Sequence, residues 1–250
     1  MIRKTQFITL ICGLIFVAKS SFSYPVSDNF NGSSLNPSWI IEKPDSNSSV
    51  TLNGDGRLLI QTNTNNNDLW TPHNVNAPRL YQPVNNTDSW IVTTKMSFNP
   101  SATFQEAGIM AKVTGAPAEW GGYMKIASNI FFWDSTEYIK VLDNLIYGNY
   151  DTVYLKIQKI DNLYTGWYSF DGNSYTMADT ASIPYTVVGI GLFAIRQDSI
   201  GPDPEGTADN SVRSTAYFDY FEINNPIPEP VSFILMGISL LSFIIRKKCF

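Results

Sequence analysis

The sequence has almost no cysteine or histidine. Its two cysteines, Cys12 and Cys249, lie near the ends of the 250-residue chain. Residues 24–225 therefore have no thiol, which excludes a disulfide, a cysteine–zinc site and a cysteine nucleophile from them. The one histidine, His73, cannot supply the several ligands of a multi-histidine metal site. It also has no acidic or nucleophilic neighbour in sequence that would suggest a catalytic triad.

Charged residues are also scarce, at 16% of the chain, and the central part has few basic ones. Of 17 basic and 22 acidic residues, six basic and one acidic lie in segments 1–23 and 226–250, which leaves 11 and 21 in residues 24–225 and a net charge of −10. Such a balance repels phosphate backbones and argues against nucleic-acid binding. The hydrophobic content of 44% is that of a folded protein rather than a disordered one.

Residues 1–23 have the pattern of a signal peptide. Arg3 and Lys4 precede an uncharged, mainly apolar stretch over 7–18, and Ser21 and Ser23 place small residues at −3 and −1 of a cleavage site. We therefore expect an exported protein that begins at Tyr24 after processing. The alternative is an uncleaved membrane anchor.

The last 25 residues contain three elements in a fixed order. Pro228-Glu229-Pro230 is followed by an uncharged stretch over 231–245 and then by Arg246-Lys247-Lys248. We expect a single hydrophobic helix whose basic tip stays inside the cell. This tail resembles the PEP-CTERM sorting signal of exopolysaccharide-producing Gram-negative bacteria. The resemblance implies an exosortase-type processing machinery, transient membrane anchoring, and delivery to the cell surface or a biofilm matrix. The alternative is a plain C-terminal anchor.

Residues 24–225 have the pattern of an all-β domain. Short runs of alternating apolar and polar residues recur between clusters of Asn, Asp, Gly and Pro, and no helix-period segment exceeds two turns. One two-sheet sandwich accommodates these strands, with Trp39 and Trp90 expected in its core. The predicted strands are 49–52, 57–62, 77–82, 90–98, 106–113, 122–127, 130–133, 138–142, 152–159, 163–170, 187–194 and 215–223.

Seven short phrases, in a characteristic order, give this domain a resemblance. They are Asp28-Asn29-Phe30-Asn31-Gly32, Gly56-Arg57-Leu58-Leu59-Ile60, Gln105-Glu106-Ala107-Gly108-Ile109-Met110, Val153-Tyr154-Leu155-Lys156-Ile157, Tyr168-Ser169-Phe170-Asp171-Gly172, Gly191-Leu192-Phe193-Ala194 and Ala216-Tyr217-Phe218-Asp219-Tyr220-Phe221. The succession is similar to the concanavalin A-like, laminin-G-like jelly roll appended to β-xylosidases. The resemblance implies a non-catalytic accessory module. It also implies that the first and last strands pair, which would place Asp28 near Asp219.

The residues show no recognisable catalytic constellation. Glycoside hydrolysis needs two carboxyl groups about 5–9 Å apart across one bond. No Glu-x-Asp-x-x-Glu pattern occurs, and Asp134 and Glu137 would point to opposite faces of a continuous strand. We therefore expect a non-enzymatic protein. A glycoside hydrolase or lyase with a degenerate site is one alternative, and a structural or adhesive surface protein with protein partners is another.

Carbohydrate binding is the leading interpretation, because sugars stack on aromatic rings while polar side chains bond their hydroxyl groups. If the apolar positions of three strands point inward, lysines and tyrosines point outward from the same strands. Tryptophans in nearby loops could border this surface. The candidate ligand-binding residues are Lys112, Tyr123, Lys125, Tyr154, Lys156, Trp70 and Trp120. The alternative is an ordinary solvated sheet face.

A calcium ion is a further hypothesis. Asp28 and Asp219 could contribute carboxylates, together with Asp203, Glu205 or Asp209 from an acidic loop. Such an ion would be structural, and no EF-hand spacing occurs in the sequence. The alternative is a solvated loop and two surface carboxylates.

Overall fold

The protein folds as two antiparallel β-sheets packed face to face. Its structure, a computed structural model, describes residues 24–64, 67–69, 76–100, 105–114, 120–126, 130–133, 152–183, 185–196 and 212–224. In these residues we find no helix that is long and apolar enough to cross a membrane. The predicted signal peptide, the predicted tail and the predicted strand 138–142 lie outside them.

Thirteen strands lie in the described part of the chain. They are β1 (Ile40–Glu42), β2 (Ser49–Leu52), β3 (Leu58–Gln61), β4 (Arg79–Pro83), β5 (Trp90–Phe98), β6 (Gln105–Thr114), β7 (Trp120–Ile126), β8 (Ile130–Trp133), β9 (Thr152–Ile160), β10 (Leu163–Ser169), β11 (Thr176–Ser182), β12 (Thr186–Arg196) and β13 (Thr215–Asn224). The six-stranded sheet has the order β1-β4-β12-β6-β7-β8, and the seven-stranded sheet has the order β11-β10-β9-β5-β13-β3-β2.

Strict alternation along the central strands builds the core between the sheets. On β9, Val153, Leu155 and Ile157 are fully buried, and the residues between them are half-buried on the outer face. Each such aliphatic side chain contributes about 1.5–3 kcal/mol when it leaves water. Trp39 and Trp90 lie in this core, as the sequence predicts. The concanavalin A-like two-sheet sandwich predicted from the sequence is thus confirmed.

The predicted strands agree closely with the observed ones where the alternation is regular. Ser49–Leu52, Trp90–Phe98 and Ile130–Trp133 have the predicted bounds. Two strands were not predicted. Ile40–Glu42 is only three residues long, and Thr176–Ser182 is polar, with a register shift against β10 that breaks its alternation.

The two ends of the domain are joined at one place. The backbone of Asp28 exchanges two hydrogen bonds of 2.8 and 2.7 Å with that of Phe221 on β13. The Asp28 carboxylate accepts a 2.8 Å hydrogen bond from the indole of Trp39, which packs edge-on against the Phe221 ring. The expected pairing of the first and last strands is wrong, because β1 lies beside β4 in the other sheet. A single bridge at Asp28, ahead of β1, instead joins the start of the domain to β13 over aromatic core residues.

A tight turn follows β10 and depends on Asp171 and Gly172. The Asp171 carboxylate accepts hydrogen bonds from the backbone amides of Ser174 and Asn173 and from the Ser169 hydroxyl. These bonds hold the pKa of Asp171 at about 2. Gly172 has a φ of 75°, a left-handed conformation that glycine adopts without steric cost.

One end of the core contains a buried polar row. Trp90, Lys159 and Tyr164 occupy paired positions on β5, β9 and β10, and all three side chains are buried. The Lys159 ammonium donates to the backbone carbonyls of Asn86 and Asp88 at 2.6 and 3.0 Å. The Tyr164 hydroxyl and the Trp90 indole N–H have no hydrogen-bond partner in the described part of the chain. Burial raises the pKa of the Tyr164 hydroxyl.

We expect Tyr164→Phe to raise the free energy of unfolding by about 1 kcal/mol, because it removes a buried, unpaired hydroxyl and keeps the ring against Trp90. Urea unfolding followed by tryptophan fluorescence measures this change. Tyr164→Ala, which also removes the ring, should cost about 3–5 kcal/mol. A loss of stability in the phenylalanine variant would mean that the hydroxyl is bonded and would contradict this account.

Candidate functional site

The lysines and tyrosines that the sequence predicts on one face are divided between the two sheets. Lys112, Tyr123 and Lys125 lie on β6 and β7 of the six-stranded sheet, whereas Tyr154 and Lys156 lie on β9 of the seven-stranded sheet. A single continuous face through all five is therefore wrong. Alternation along a strand separates inward from outward residues, but it does not show which sheet the strand joins.

Of the two tryptophans predicted at the border of this face, Trp120 lies in the described part of the chain and Trp70 does not. Trp120 begins β7 and pairs in backbone register with Lys112, while Tyr123 pairs with Met110. Trp70 lies outside the described residues. So do His73 and the three acidic-loop residues, which are Asp203, Glu205 and Asp209.

On the six-stranded sheet, Lys112 belongs to an ionic cluster with Glu42 and Arg79. Its Nζ lies 2.5 Å from Glu42 Oε1, and Arg79 contacts the other carboxylate oxygen of Glu42 at 2.7 Å. The Tyr81 hydroxyl also donates to Glu42, at 3.1 Å, and the Lys112 ammonium lies 4.4 Å above the Tyr81 ring. Lys112 is thus already engaged by groups of its own sheet.

This cluster fits closely against β12 because Gly191 has no side chain. A Cβ atom on Gly191 would lie 1.9 Å from the carbonyl oxygen of Leu80 and 2.6 Å from the Cα of Tyr81. The neighbouring strand β4 therefore approaches β12 in a way that only glycine permits. Beside it, Met110, Phe193 and Ile195 join Leu69 in a small second apolar cluster.

Glu42 is the centre of charge in this ionic cluster. Burial by itself raises the pKa of Glu42, but the hydrogen bond from Lys112 and the positive charges of Arg79 and Lys112 outweigh burial and lower it. The carboxylate is therefore stabilised in its ionised form.

The outer face of the seven-stranded sheet is rich in aromatic side chains. We call this surface the aromatic face and define it by Tyr154, Trp167, Tyr175, Tyr217 and Tyr220. All five are half-buried. Their strand neighbours, including Leu155, Tyr168 and Phe218, are buried in the core, so alternation places Tyr154, Trp167 and Tyr217 on the opposite side. Tyr220 reaches the same side through a bulge, and Tyr175, just before β11, lies there with its ring 4.2 Å from Lys156 Nζ.

The backbone registers arrange this face in rows that cross the strands. Tyr220, Lys95 and Tyr154 pair across β13, β5 and β9. In the next row, Glu222 pairs with Thr93, Thr93 with Lys156, and Lys156 with Trp167. The four strands cover about 14 Å, at roughly 4.8 Å between neighbours.

A bulge in β13 determines which residues this strand contributes. The register against β5 shifts between Phe218 and Tyr220, so Asp219 and Tyr220 both remain half-buried while Phe218 and Phe221 enter the core. The fully buried Thr94 donates its hydroxyl to the Tyr220 carbonyl at 2.5 Å. This bond supplies a partner to the backbone where the ladder is interrupted.

Lys156 lies among the rings of the aromatic face. Its Nζ is 4.6 Å from the centre of the Trp167 ring and 4.2 Å from that of Tyr175. Both distances are within the range of cation–π attraction. Burial lowers the pKa of Lys156 and raises that of Tyr175. The pKa of Tyr220 is also raised, by burial and by nearby Tyr175, Glu222 and other groups.

The other cations near this face have carboxylate partners. Lys95 contacts Asp219 at 2.5 Å, and this hydrogen bond raises the pKa of Lys95. Arg57 contacts Asp55 at 2.6 Å and lies 4.6 Å from the centre of the Tyr217 ring.

The expected approach of Asp28 to Asp219 does not occur. Asp28 pairs with the buried Phe221 and bonds to Trp39 on the core side, whereas Asp219 bonds to Lys95 on the outer side. The bulge in β13 turns the Asp219 side chain to the outer face of the sheet, whereas Asp28 lies on the core side with Phe221. The described residues contain no cluster of three or more metal-ligating side chains. The structure thus separates the carboxylates of Asp28 and Asp219, and calcium binding that involves Asp203, Glu205 or Asp209 stays a prediction.

Trp167, Tyr175, Tyr217 and Tyr220 were not among the predicted site residues. Trp167 could have been found from the sequence, because it alternates with Tyr164, Gly166 and Tyr168, which face the core, and so points outward. Tyr220 could not be assigned in this way, because a regular strand containing Phe218 would turn Tyr220 inward.

We expect Glu42→Gln to lower the free energy of unfolding by about 1–3 kcal/mol at pH 7, since it removes the negative charge beside two partly buried cations. A carboxyl group with a lowered pKa stabilises the fold above its unfolded pKa of about 4.3, and this contribution disappears as pH falls through the folded pKa. The difference between variant and wild type should therefore shrink towards pH 3.

Urea unfolding at pH 7 and pH 3 measures this dependence. Asp55→Asn is the matched control, because its ion pair with Arg57 is largely exposed and should matter much less. An equal loss of stability for Glu42→Gln at both pH values would rule out the ionic explanation.

Comparison with known proteins was made at the levels of sequence and structure. No family profile matches the sequence, and no curated protein matches it. Solved structures do share the fold. The GH43 protein BlXynB of Bacillus licheniformis has a TM-score of 0.55 and 18% identity, over 80% of this chain and 39% of that one. The Bacteroides ovatus xyloglucan PUL GH43B protein has a TM-score of 0.55 and 17% identity, over 82% and 40%.

A second kind of neighbour matches over nearly its whole length. The alginate lyase AlgAT5, from polysaccharide lyase family 7, has a TM-score of 0.56 and 9% identity, over 76% of this chain and 95% of that one. This chain therefore spans about two fifths of the two GH43 proteins and almost all of the lyase. At these identities the likeness establishes the fold alone, which is the jelly-roll β-sandwich.

Proposed function

We propose that this protein is a non-catalytic, exported polysaccharide-binding protein and that the aromatic face is its binding surface. The observation that carries the proposal is the grouping of Tyr154, Trp167, Tyr175, Tyr217 and Tyr220 on one side of one sheet. Rings that remain half-buried on an outer sheet face offer flat apolar area beside polar groups, which is the combination that sugars require.

The polar groups of the face support the same function. Between the rings, the outer face of the central strand β5 carries Thr93, Lys95 and Ser97, whose polar groups lie beside the aromatic side chains. Ser97 lies opposite Thr152, with their hydroxyls 3.3 Å apart. The exposed Glu222 stands at the end of a row as an acceptor for sugar hydroxyls.

The fold neighbours are compatible with this proposal. They are named as GH43 proteins and as an alginate lyase, so this sandwich occurs in proteins that act on carbohydrates. The non-catalytic role rests on the sequence, which shows no pair of carboxylates in a catalytic spacing. We also propose that the signal peptide exports the protein and that the PEP-CTERM-like tail, with an exosortase-type partner, delivers it to the cell surface or an extracellular matrix.

We expect Trp167→Ala to weaken binding to any recognised polysaccharide at least tenfold, because a central aromatic ring that stacks on a ligand contributes on the order of 2 kcal/mol. The measurement is affinity electrophoresis of the full-length protein in a non-ionic detergent, through gels that contain a panel of polysaccharides. Circular dichroism verifies that the variant is folded.

The control is Tyr24→Ala. Tyr24 is an exposed aromatic residue close to Val26, which bonds to Gln82 of the other sheet. The Tyr24→Ala variant should be retarded by the polysaccharide gels as strongly as the wild type. If the protein is retarded by no polysaccharide, the binding function is wrong and the structural or adhesive alternative gains support. Release of reducing ends or of unsaturated sugars from a polymer would instead support the enzyme alternative.

A further inference from the structure

Lys156 differs from the other cations near the aromatic face. Lys95 and Arg57 each contact a carboxylate, at 2.5 and 2.6 Å. Lys156 makes no ion pair with a described residue, and no described residue accepts a hydrogen bond from its Nζ. Among the described residues, its Nζ makes cation–π contacts with the rings of Trp167 and Tyr175. The ammonium group thus retains its three donors.

The surroundings of this charge are unusual. The Lys156 ammonium is partly removed from water, which lowers its pKa, and it faces two aromatic rings rather than a carboxylate of the described residues. An anion that entered the row would accept charge-assisted hydrogen bonds from the Lys156 ammonium, which has no such acceptor among the described residues.

We infer that Lys156 is the specificity-determining residue of an acidic-sugar subsite and that the polysaccharide carries an anionic group, a carboxylate or a sulfate. The inference rests on the proposed function and names the ligand class of the same surface. The anionic group contacts the Lys156 ammonium, and the sugar ring that carries it lies along the row from Trp167 through Lys156 and Thr93 towards Glu222.

The overall charge of the domain bears on the choice of ligand. A net charge of −10 repels a polyanion at long range, so general electrostatic attraction does not favour acidic ligands. Recognition of an acidic polymer by this domain must therefore come from a local contact. Lys156 is the candidate among the described residues, because Lys95 and Arg57 already contact carboxylates.

A pair of polymers with the same backbone isolates the charge. We use polygalacturonate and its fully methyl-esterified form, which is neutral, with full-length wild-type protein in non-ionic detergent and binding measured by isothermal titration calorimetry. Wild type should bind the acid at least tenfold more tightly than the ester. A sulfated neutral polymer, such as dextran sulfate against dextran, distinguishes a sulfate from a carboxylate preference.

Lys156→Met keeps the apolar stem over the rings and removes the charge. It should weaken binding to the acid about tenfold and leave binding to the ester unchanged, while Lys156→Arg retains the preference. Lys43→Met is the control: it makes the same change of charge at an exposed site after β1, in the other sheet. It should leave the preference intact.

The outcomes separate the two proposals. If wild type binds acid and ester equally, or Lys156→Met keeps the preference, the acidic subsite is wrong; loss of binding in Trp167→Ala would then still support the aromatic face. An equal loss in Lys43→Met would show general electrostatics and also overturn the subsite. Binding to none of these polymers, nor to a neutral panel, would overturn both proposals.

Discussion

The structure depends on how β13 is held inside the seven-stranded sheet. This strand pairs with β3 on one side and with β5 on the other. Its inward residues Ala216, Phe218 and Phe221 are fully buried between the sheets. Because a bulge interrupts the alternation, the same ten residues also supply Asp219 and Tyr220 to the outside. One strand thus links the core, the closure by Asp28 and the aromatic face.

Partly buried cations have different partners on the outer faces of the two sheets. On the six-stranded sheet, Glu42 lies between Arg79 and Lys112, so the charges compensate one another within the protein. On the seven-stranded sheet, aromatic rings surround Lys156 and no carboxylate of the described chain neutralises it. The Glu42 carboxylate neutralises cations of its own sheet, whereas the charge of Lys156 can still pair with an anionic ligand.

The sequence was informative about local geometry and uninformative about long-range pairing. Alternation in 90–98 and 152–159 predicted two central strands and the burial of their inward residues, and both predictions hold. The prediction that Lys112 and Lys156 share one face was wrong, because strands that pair in a sheet can be far apart in sequence and alternation does not show which ones pair. The meeting of Asp28 and Asp219 failed because a single extra residue in β13 reverses the direction of a side chain. Fold class therefore followed from pattern, while the surface needed the registers.

The junction of Asp28 with Phe221 has a mechanical consequence. At its end β13 pairs with β5 as far as Asn224, while β3 pairs only with residues 215–218 and the backbone of Asp28 bonds to Phe221 beyond them. The start of the described domain and the end of its last strand are thus held together by one bridge. Separating them requires the loss of both Asp28–Phe221 hydrogen bonds and uncovers the aromatic core residues beneath.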